Sequence, residues 1–333
     1  MRTAIGACCV ALAAVLLGGC ESPQAEQRAE FAVFGTRVEA IVRGADKAQA
    51  AAAFRDVGAL LQRLHRELHP WEDGALMQLN EALAQGRAHR TTEAIVELVQ
   101  VGRRLEAASG GTFNPAIGAA VSLWGFHTSS YPITEPPPSD SDIRALLAAS
   151  PSMSDLRVDD REVSSSNPAV RLDFSGLAKG LALRLACRAL VERGLDFGLV
   201  NAGGDVMVCG ADADAEPWRV AIRNPEGGVL ETLEIERPMA VFTSGNDYRY
   251  GEFDGERYAH ILDPRTARPV AEVMQATVAD PDPLLADAAA TALVAAGRAG
   301  WRDVARSMGL DRVIVVLADG SVARLDSRGA DRR

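Results

Sequence analysis

Residues 170–210 read VRLDFSGLAKGLALRLACRALVERGLDFGLVNAGGDVMVCG, and this stretch decides the class of the fold. VRLDFSG is a short apolar run ending in small residues and predicts a strand; LAKGLALRLACRALVERG repeats its apolar positions at helical spacing; FGLVNAGGDVMVCG predicts a hairpin about its paired glycines. Short β-like runs follow downstream, WRVAIRNP, LETLEIE, AVFTSG, YRYGEF and ERYAHILDP, separated by Gly, Asn and Asp turns. Asp282 to Ala296 and Trp301 to Met308 predict helices, and RVIVVLADGSVARL a closing hairpin about Asp319-Gly320. Upstream, FAVFGTRVEAIV predicts a strand. Asp46 to Leu68 predicts an Ala-rich amphipathic helix stopped by Pro70, and Thr91 to Ala108 a second helix ended by Gly110-Gly111. The Pro-rich stretch from Tyr131 to Asp142 predicts a surface loop leading into a short helix. Hairpins that do not alternate with helices make the chain α+β.

The 333 residues are 47% hydrophobic and 24% charged, with a formal net charge of −10. Those values exclude a disordered, collagenous or multi-span membrane chain, and without a Lys/Arg cluster the acidic balance argues against nucleic acid. Arg2, the apolar run Ala4 to Leu17 and Leu17-Gly18-Gly19-Cys20 together read as a lipoprotein signal with a lipobox, a simple secretory signal with a chance cysteine being the alternative. Residues 1–19 are then a signal peptide, 20–30 a polar tether, 31–326 the folded region and 327–333 a polar tail. Lipid on Cys20 would hold the fold at a membrane on the periplasmic or extracytoplasmic side. With Cys8 and Cys9 in the signal, only Cys187 and Cys209 remain; both lie in apolar stretches and read as small core residues, a single bridge being the alternative.

Several segments could carry chemistry. Asp173 to Gly180 brings a strand-like run into a helix start, where free N–H groups and Lys179 could hold phosphate, or could form a plain structural joint. Asp287 and Thr291 are four apart on one helix face, and hard oxygens at that spacing suit Mg²⁺; a capping or solvent-facing aspartate is the alternative. His260 sits at the end of a β-like run before a Pro turn, where an imidazole can act as general acid or base with a pH limb in the histidine range; a structural histidine at a strand end is the alternative. Asn201-Ala202-Gly203-Gly204-Asp205 is a tight turn that needs no ligand. His65 and His69 stand at i and i+4, but Glu67 is misplaced for the zincin motif, so they read as a solvated helix end.

Taken together, these segments resemble the ApbE family, the lipoprotein FAD:protein FMN transferases. The resemblance runs from Phe31 to Leu317. It is carried by Gly35-Thr36, GGTFNPAIGAAVSLWGF (110–126), LDFSGLAKG (172–180), VNAGGDV (200–206), TSGNDYRY (243–250), HILDPRT (260–266) and ADAAATAL (286–293). It implies T-fold-like antiparallel sheets packed with helices and a second, smaller α/β domain, the two subdomains intertwined. It also implies FAD contacts at Phe34, Trp71, Thr112, Phe113, Asn114, Asp173, Lys179 and Ile261, Mg²⁺ ligation by Asp287, Thr291 and the Gly176 carbonyl, and catalytic roles for His260 and Lys179. FAD would be the substrate and the acceptor a threonine of a partner flavoprotein in a membrane redox complex. Transfer to water instead would make the chain an FAD pyrophosphatase, and loss of chemistry a flavin carrier. Asn114 stands where the family has aspartate, Ala267 where it has glycine, and Ala75 and Met77 where it commonly has Glu and Ser.

Overall fold

A computed structural model describes residues 26–210 and 216–326; the signal, Cys20 and residues 327–333 lie outside them. Strands β1 (Glu26–Val33) and β2 (Thr36–Arg43) open the fold, followed by helices α1 (Lys47–Leu68) and α2 (Ala75–Ala84). Strand β3 (His89–Arg90), helices α3 (Glu93–Ala108), α4 (Gly118–Leu123) and α5 (Asp140–Ala149), and strands β4 (Leu156–Asp159) and β5 (Glu162–Ser165) come next. Helix α6 (Ala178–Val191) leads into β6 (Gly198–Ala202) and β7 (Asp205–Val208), then β8 (Trp218–Arg223), β9 (Val229–Ile235) and β10 (Met239–Gly245). The short strands β11 (Tyr250–Phe253), β12 (Glu256–Ala259), β13 (Leu262–Asp263) and β14 (Arg268–Pro269) precede β15 (Val273–Asp280). Helices α7 (Pro283–Ala295) and α8 (Gly297–Ser307) and strands β16 (Arg312–Leu317) and β17 (Val322–Asp326) close the described chain.

The frame is an eight-stranded sheet in the order β1-β2-β6-β7-β10-β15-β16-β17, antiparallel at every pairing. The helices α1, α6 and α7 cover one face, where Leu61, Leu64, Leu181, Ala289, Leu293 and Phe242 share one buried core. On the other face the β8–β9 hairpin closes a second core of Trp218, Val220, Leu233, Val208 and Val241. A satellite core of Trp124, Phe126, Ile133, Ile143 and Leu262 joins residues 120–146 to the β11–β14 region. Among the described residues no helix is long and apolar enough to cross a membrane.

Helix starts follow local chemistry. Asp46 caps α1 by accepting from Ala48 and Gln49, and Asp282 caps α7 by accepting from Leu284 with Pro283 in the first turn. Helix α7 is almost wholly buried; its alanines let it lie close against the sheet. Gly180 does the same for α6: a Cβ there would lie 2.5 Å from the Pro283 carbonyl oxygen, so the first turns of α6 and α7 meet only because residue 180 has no side chain.

Four sequence expectations change. The tether ends earlier, because residues 26–30 pair as an edge strand held by Arg28–Glu39 and Arg43–Glu26 ion pairs. FAVFGTRVEAIV is two strands, not one, since Phe34 and Gly35 both take positive φ (54° and 66°) and turn the chain back. VRLDFSG is no sheet strand: Arg171 and Asp173 donate backbone N–H groups to Ala116 and Pro115, and Leu172 donates to the Asn80 side chain, so only an isolated bridge forms. Cys187 and Cys209 form a disulfide, with Cα atoms 4.8 Å apart, because the end of β7 packs on the middle of α6.

Candidate functional site

All the residues singled out for flavin, metal and catalysis line one cavity of about 950 Å³, near the upper end of the roughly 300–1,000 Å³ common for small-molecule sites. Its walls come from the β1–β2 turn, the α1–α2 connection, residues 112–131, the α6 start, the β6–β7 and β10–β11 connections, the start of β13 and α7.

At the floor, the α6–α7 contact brings Asp287, Thr291, Gly176 and Lys179 together. Asp287 is only 3% exposed and accepts the Gly180 N–H at 2.8 Å. Burial pushes its carboxyl up to about 7, against the pull of Lys179. Thr291 Oγ1 lies 3.0 Å from Ser244 Oγ, and a Cβ on Gly176 would lie 3.1 Å from Thr291 Oγ1. The phosphate cradle expected at the α6 start is thus already filled, because the Asp287 carboxylate takes the N–H groups that a free helix end would offer. Lys179 is ion-paired with Asp205, which also accepts the Thr243 N–H at 2.8 Å. Burial works against the Lys179 charge, but Asp205 and Asp287 outweigh it and raise its pKa.

The wall above carries a row of rings. Phe34, His65, His69, Trp71 and His127 follow one another at centroid spacings of 5.5, 5.3, 4.5 and 5.4 Å, the last pair stacked with 23° between planes. His65 and His69 are therefore half-buried cavity residues rather than a solvated helix end. Behind Trp71, His127 Nε2 lies 3.0 Å from Asp173 Oδ2, and Asp173 Oδ1 accepts the Ser175 N–H at 2.8 Å. Burial pushes the Asp173 carboxyl up, yet His127 and Ser175 together hold it below its ordinary value.

His260 is half-buried, its ring 6.2 Å from that of Phe126. Its Nδ1 lies 3.1 Å from the Arg249 carbonyl oxygen, so Nδ1 carries the proton and Nε2 keeps its lone pair for the cavity. Burial, then the Arg249 charge, push its pKa down to about 3. The free imidazole is neutral far below the histidine range, and the pH limb expected from the sequence moves with it.

Asn114 reaches the cavity wall, but its amide donates to the Pro151 carbonyl and accepts the Ala116 N–H. An aspartate could not make the first of these bonds. Thr112 Oγ1 donates to the Ser109 carbonyl, Phe113 and Ile261 are buried, and Ala267 takes φ 52°, a conformation that glycine adopts without strain. His127, Asp205, Ser244 and Arg249 also line the cavity without a role legible from their sequence, although all but His127 lie inside the motif segments.

Among the described residues no three or more His, Cys, Asp and Glu side chains cluster for a metal. A cation here would rest on the mixed oxygens of Asp287, Thr291 and the Gly176 backbone, hard donors of the kind Mg²⁺ takes.

Residues 34–314 match the model of the ApbE family. The chain is 42% identical over 319 residues to an FAD:protein FMN transferase of Rhodobacter capsulatus, covering 94% of this chain and 60% of that protein, so it spans less than two thirds of that relative's length. It is 31% identical to the FAD:protein FMN transferase of Klebsiella pneumoniae, over 94% of this chain and 91% of the relative. The fold overlays the ApbE protein of Thermotoga maritima with a TM-score of 0.82 at 27% identity, covering 93% and 100% of the two chains. Pseudomonas stutzeri flavinyl transferase overlays with 0.80 at 27% identity, covering 92% and 96%.

Proposed function

The chain belongs to the ApbE family, and from that membership we propose that it is an FAD:protein FMN transferase, using Mg²⁺ to move the FMN half of FAD onto a threonine of a partner flavoprotein with release of AMP. One observation carries the reading: the oxygens of buried Asp287 and half-buried Thr291, the Lys179–Asp205 pair and a neutral His260 face the same cavity.

The threonine hydroxyl oxygen attacks the FMN-side phosphorus, the bond from that phosphorus to the bridging oxygen breaks, and AMP leaves with that oxygen. The hydroxyl proton passes to His260 Nε2, whose ring is held by its Nδ1–H bond to Arg249. Lys179 offers its ammonium to phosphate oxygens, and Asp205 fixes where that ammonium sits. Asp287, Thr291 and the Gly176 carbonyl would hold Mg²⁺. When bound, the ion neutralises pyrophosphate charge and eases the departure of AMP. The buried Asp287 carboxylate, short of compensating charge, is suited to a cation. Trp71, backed by His127, offers a flat face for the isoalloxazine, and Phe34 and Ile261 line the same cavity.

We further propose that the fold is anchored through lipid on Cys20 on the extracytoplasmic side, with an acceptor in a membrane redox complex. The Cys187–Cys209 bridge supports that compartment, since disulfides persist where thiols are not kept reduced. The test is to incubate the protein begun after Cys20 with FAD, MgCl₂ and candidate acceptors, following AMP release and flavin fluorescence on the denatured acceptor. Covalent flavin on an acceptor threonine is expected. FMN and AMP without covalent product would make the chain a pyrophosphatase, and binding without either product a carrier.

A further inference from the structure

The cavity presents three cationic side chains, Lys179, Arg223 and Arg249, and two of them are already matched: Lys179 by Asp205 and Arg223 by Asp247. Among the described residues no carboxylate lies within ion-pairing distance of Arg249. Its guanidinium stands 6.0 Å from the Tyr131 ring and next to the Phe34–Gly35 turn, where a Cβ on Gly35 would lie 3.6 Å from Arg249 Nη2. Its backbone is held on the C-terminal side. The Arg249 carbonyl accepts from His260, and Tyr250, which follows, pairs with Ala259 in the β11–β12 hairpin and accepts from Ile133 N–H. An exposed guanidinium at the cavity edge, with no carboxylate partner among the described residues and its own carbonyl bonded to the histidine of the site, can take an anion that enters the cavity.

The other anion-binding feature of the site is spent, since Asp287 fills the N-terminus of α6. A dinucleotide brings two phosphates, and Lys179, shared with Asp205, balances at most part of their charge.

We propose that Arg249 holds the FMN-side phosphate of the dinucleotide through a paired guanidinium contact beside His260, and so determines that the site takes phosphorylated flavins. This rests on the transferase reading, which supplies the substrate; the placement of Arg249 is independent of it.

Riboflavin and FMN differ only by the phosphate, so their affinities, read from flavin fluorescence, test the assignment. The wild-type protein should bind FMN at least tenfold tighter than riboflavin. Arg249→Ala should cut that preference to below threefold with riboflavin affinity within twofold of wild type, and Arg249→Lys, a point charge without the fork, should fall between. A wild-type preference retained in Arg249→Ala overturns the proposal, as does an equal loss of both affinities, which would mark Arg249 as a structural support. A wild-type protein that binds both flavins without preference overturns it while leaving the flavin site standing. A wild-type protein that binds no flavin overturns the transferase reading as well.

Discussion

His127 donates from Nε2 to Asp173 Oδ2 across 3.0 Å, both side chains only 7% exposed, and the same imidazole stacks on Trp71. The aromatic wall of the cavity is thereby tied to the loop that carries Gly176 and enters α6, whose first turn carries Lys179. Because Asp173 stays ionised, His127 is the donor, and the pair fixes both the indole and the start of the helix.

Replacing His127 by Ala should therefore cost stability and flavin affinity together. A hydrogen bond to a charged group contributes about 1.5–3 kcal/mol, and its loss also frees Trp71. Thermal melting and flavin quenching on one preparation check this, and His127→Gln, which still donates, should recover part of both.

The acid limb of stability has a defined sign at Asp173. Its folded pKa lies below the ordinary carboxylate value of 3.8, so its contribution is present above about pH 4 and disappears as pH falls through the folded value. His260 acts in the same direction: its pKa drops from 6.5 to about 3 on folding, so stability declines as pH falls below 6.5 towards 3. Urea titrations from pH 7 to 4 should show a shallower loss in His260→Phe than in wild type.

For turnover, His260→Ala should lose about 10²–10⁴ in the transfer rate, the usual contribution of a positioned base. Since the free imidazole is already neutral, kcat/KM at saturating MgCl₂ should stay level between pH 8 and 5.5. A limb centred near 6.5 would mean that His260 is far less enclosed than the structure has it.

Asp287 works in the opposite sense. Its folded pKa is raised to about 7, so the stability it permits as a neutral acid is lost as pH rises from about 4 through 7, when a buried charge must be carried. Asp287→Asn keeps an acceptor for the Gly180 N–H and removes that charge. The variant should melt higher than wild type at pH 8 without metal, gain nothing from MgCl₂, and release no AMP, while wild type should gain several degrees from the ion.

The Cys187–Cys209 bridge closes a separation of 22 residues and ties α6 to the end of β7, the two elements that hold Lys179 and Asp205. Loop-closure entropy gives such a cross-link about 3 kcal/mol. Cys187→Ala/Cys209→Ala should lose about that in urea and bind FAD more weakly, and dithiothreitol should affect wild type but not the variant.

Much of this protein was legible in its sequence, for reasons that are local. Capping at Asp46, Thr92 and Asp282, the apolar periodicity of α1, α3, α6 and α7, and glycine turns at 203–204 and 320 act over a few residues, so helices, hairpins and the α+β class follow from them. The spacing of Asp287 and Thr291 and the order of the seven motifs are likewise properties of the chain alone. What required the tertiary structure was every property that depends on a partner distant in the chain. VRLDFSG has strand-like residues, but its hydrogen bonds go to residues 80, 115 and 116 instead of a sheet. Lys179 looked like a free cation until β7 brought Asp205 to it, and Arg249 looked like one charge among many until the fold set it in the cavity with no carboxylate partner among the described residues. Asp287 and His260 carry ordinary ionisable groups in the sequence. Only burial moves the first up to about 7 and the second down to about 3, because removing water penalises the charged form of each, and burial is a property of the whole fold.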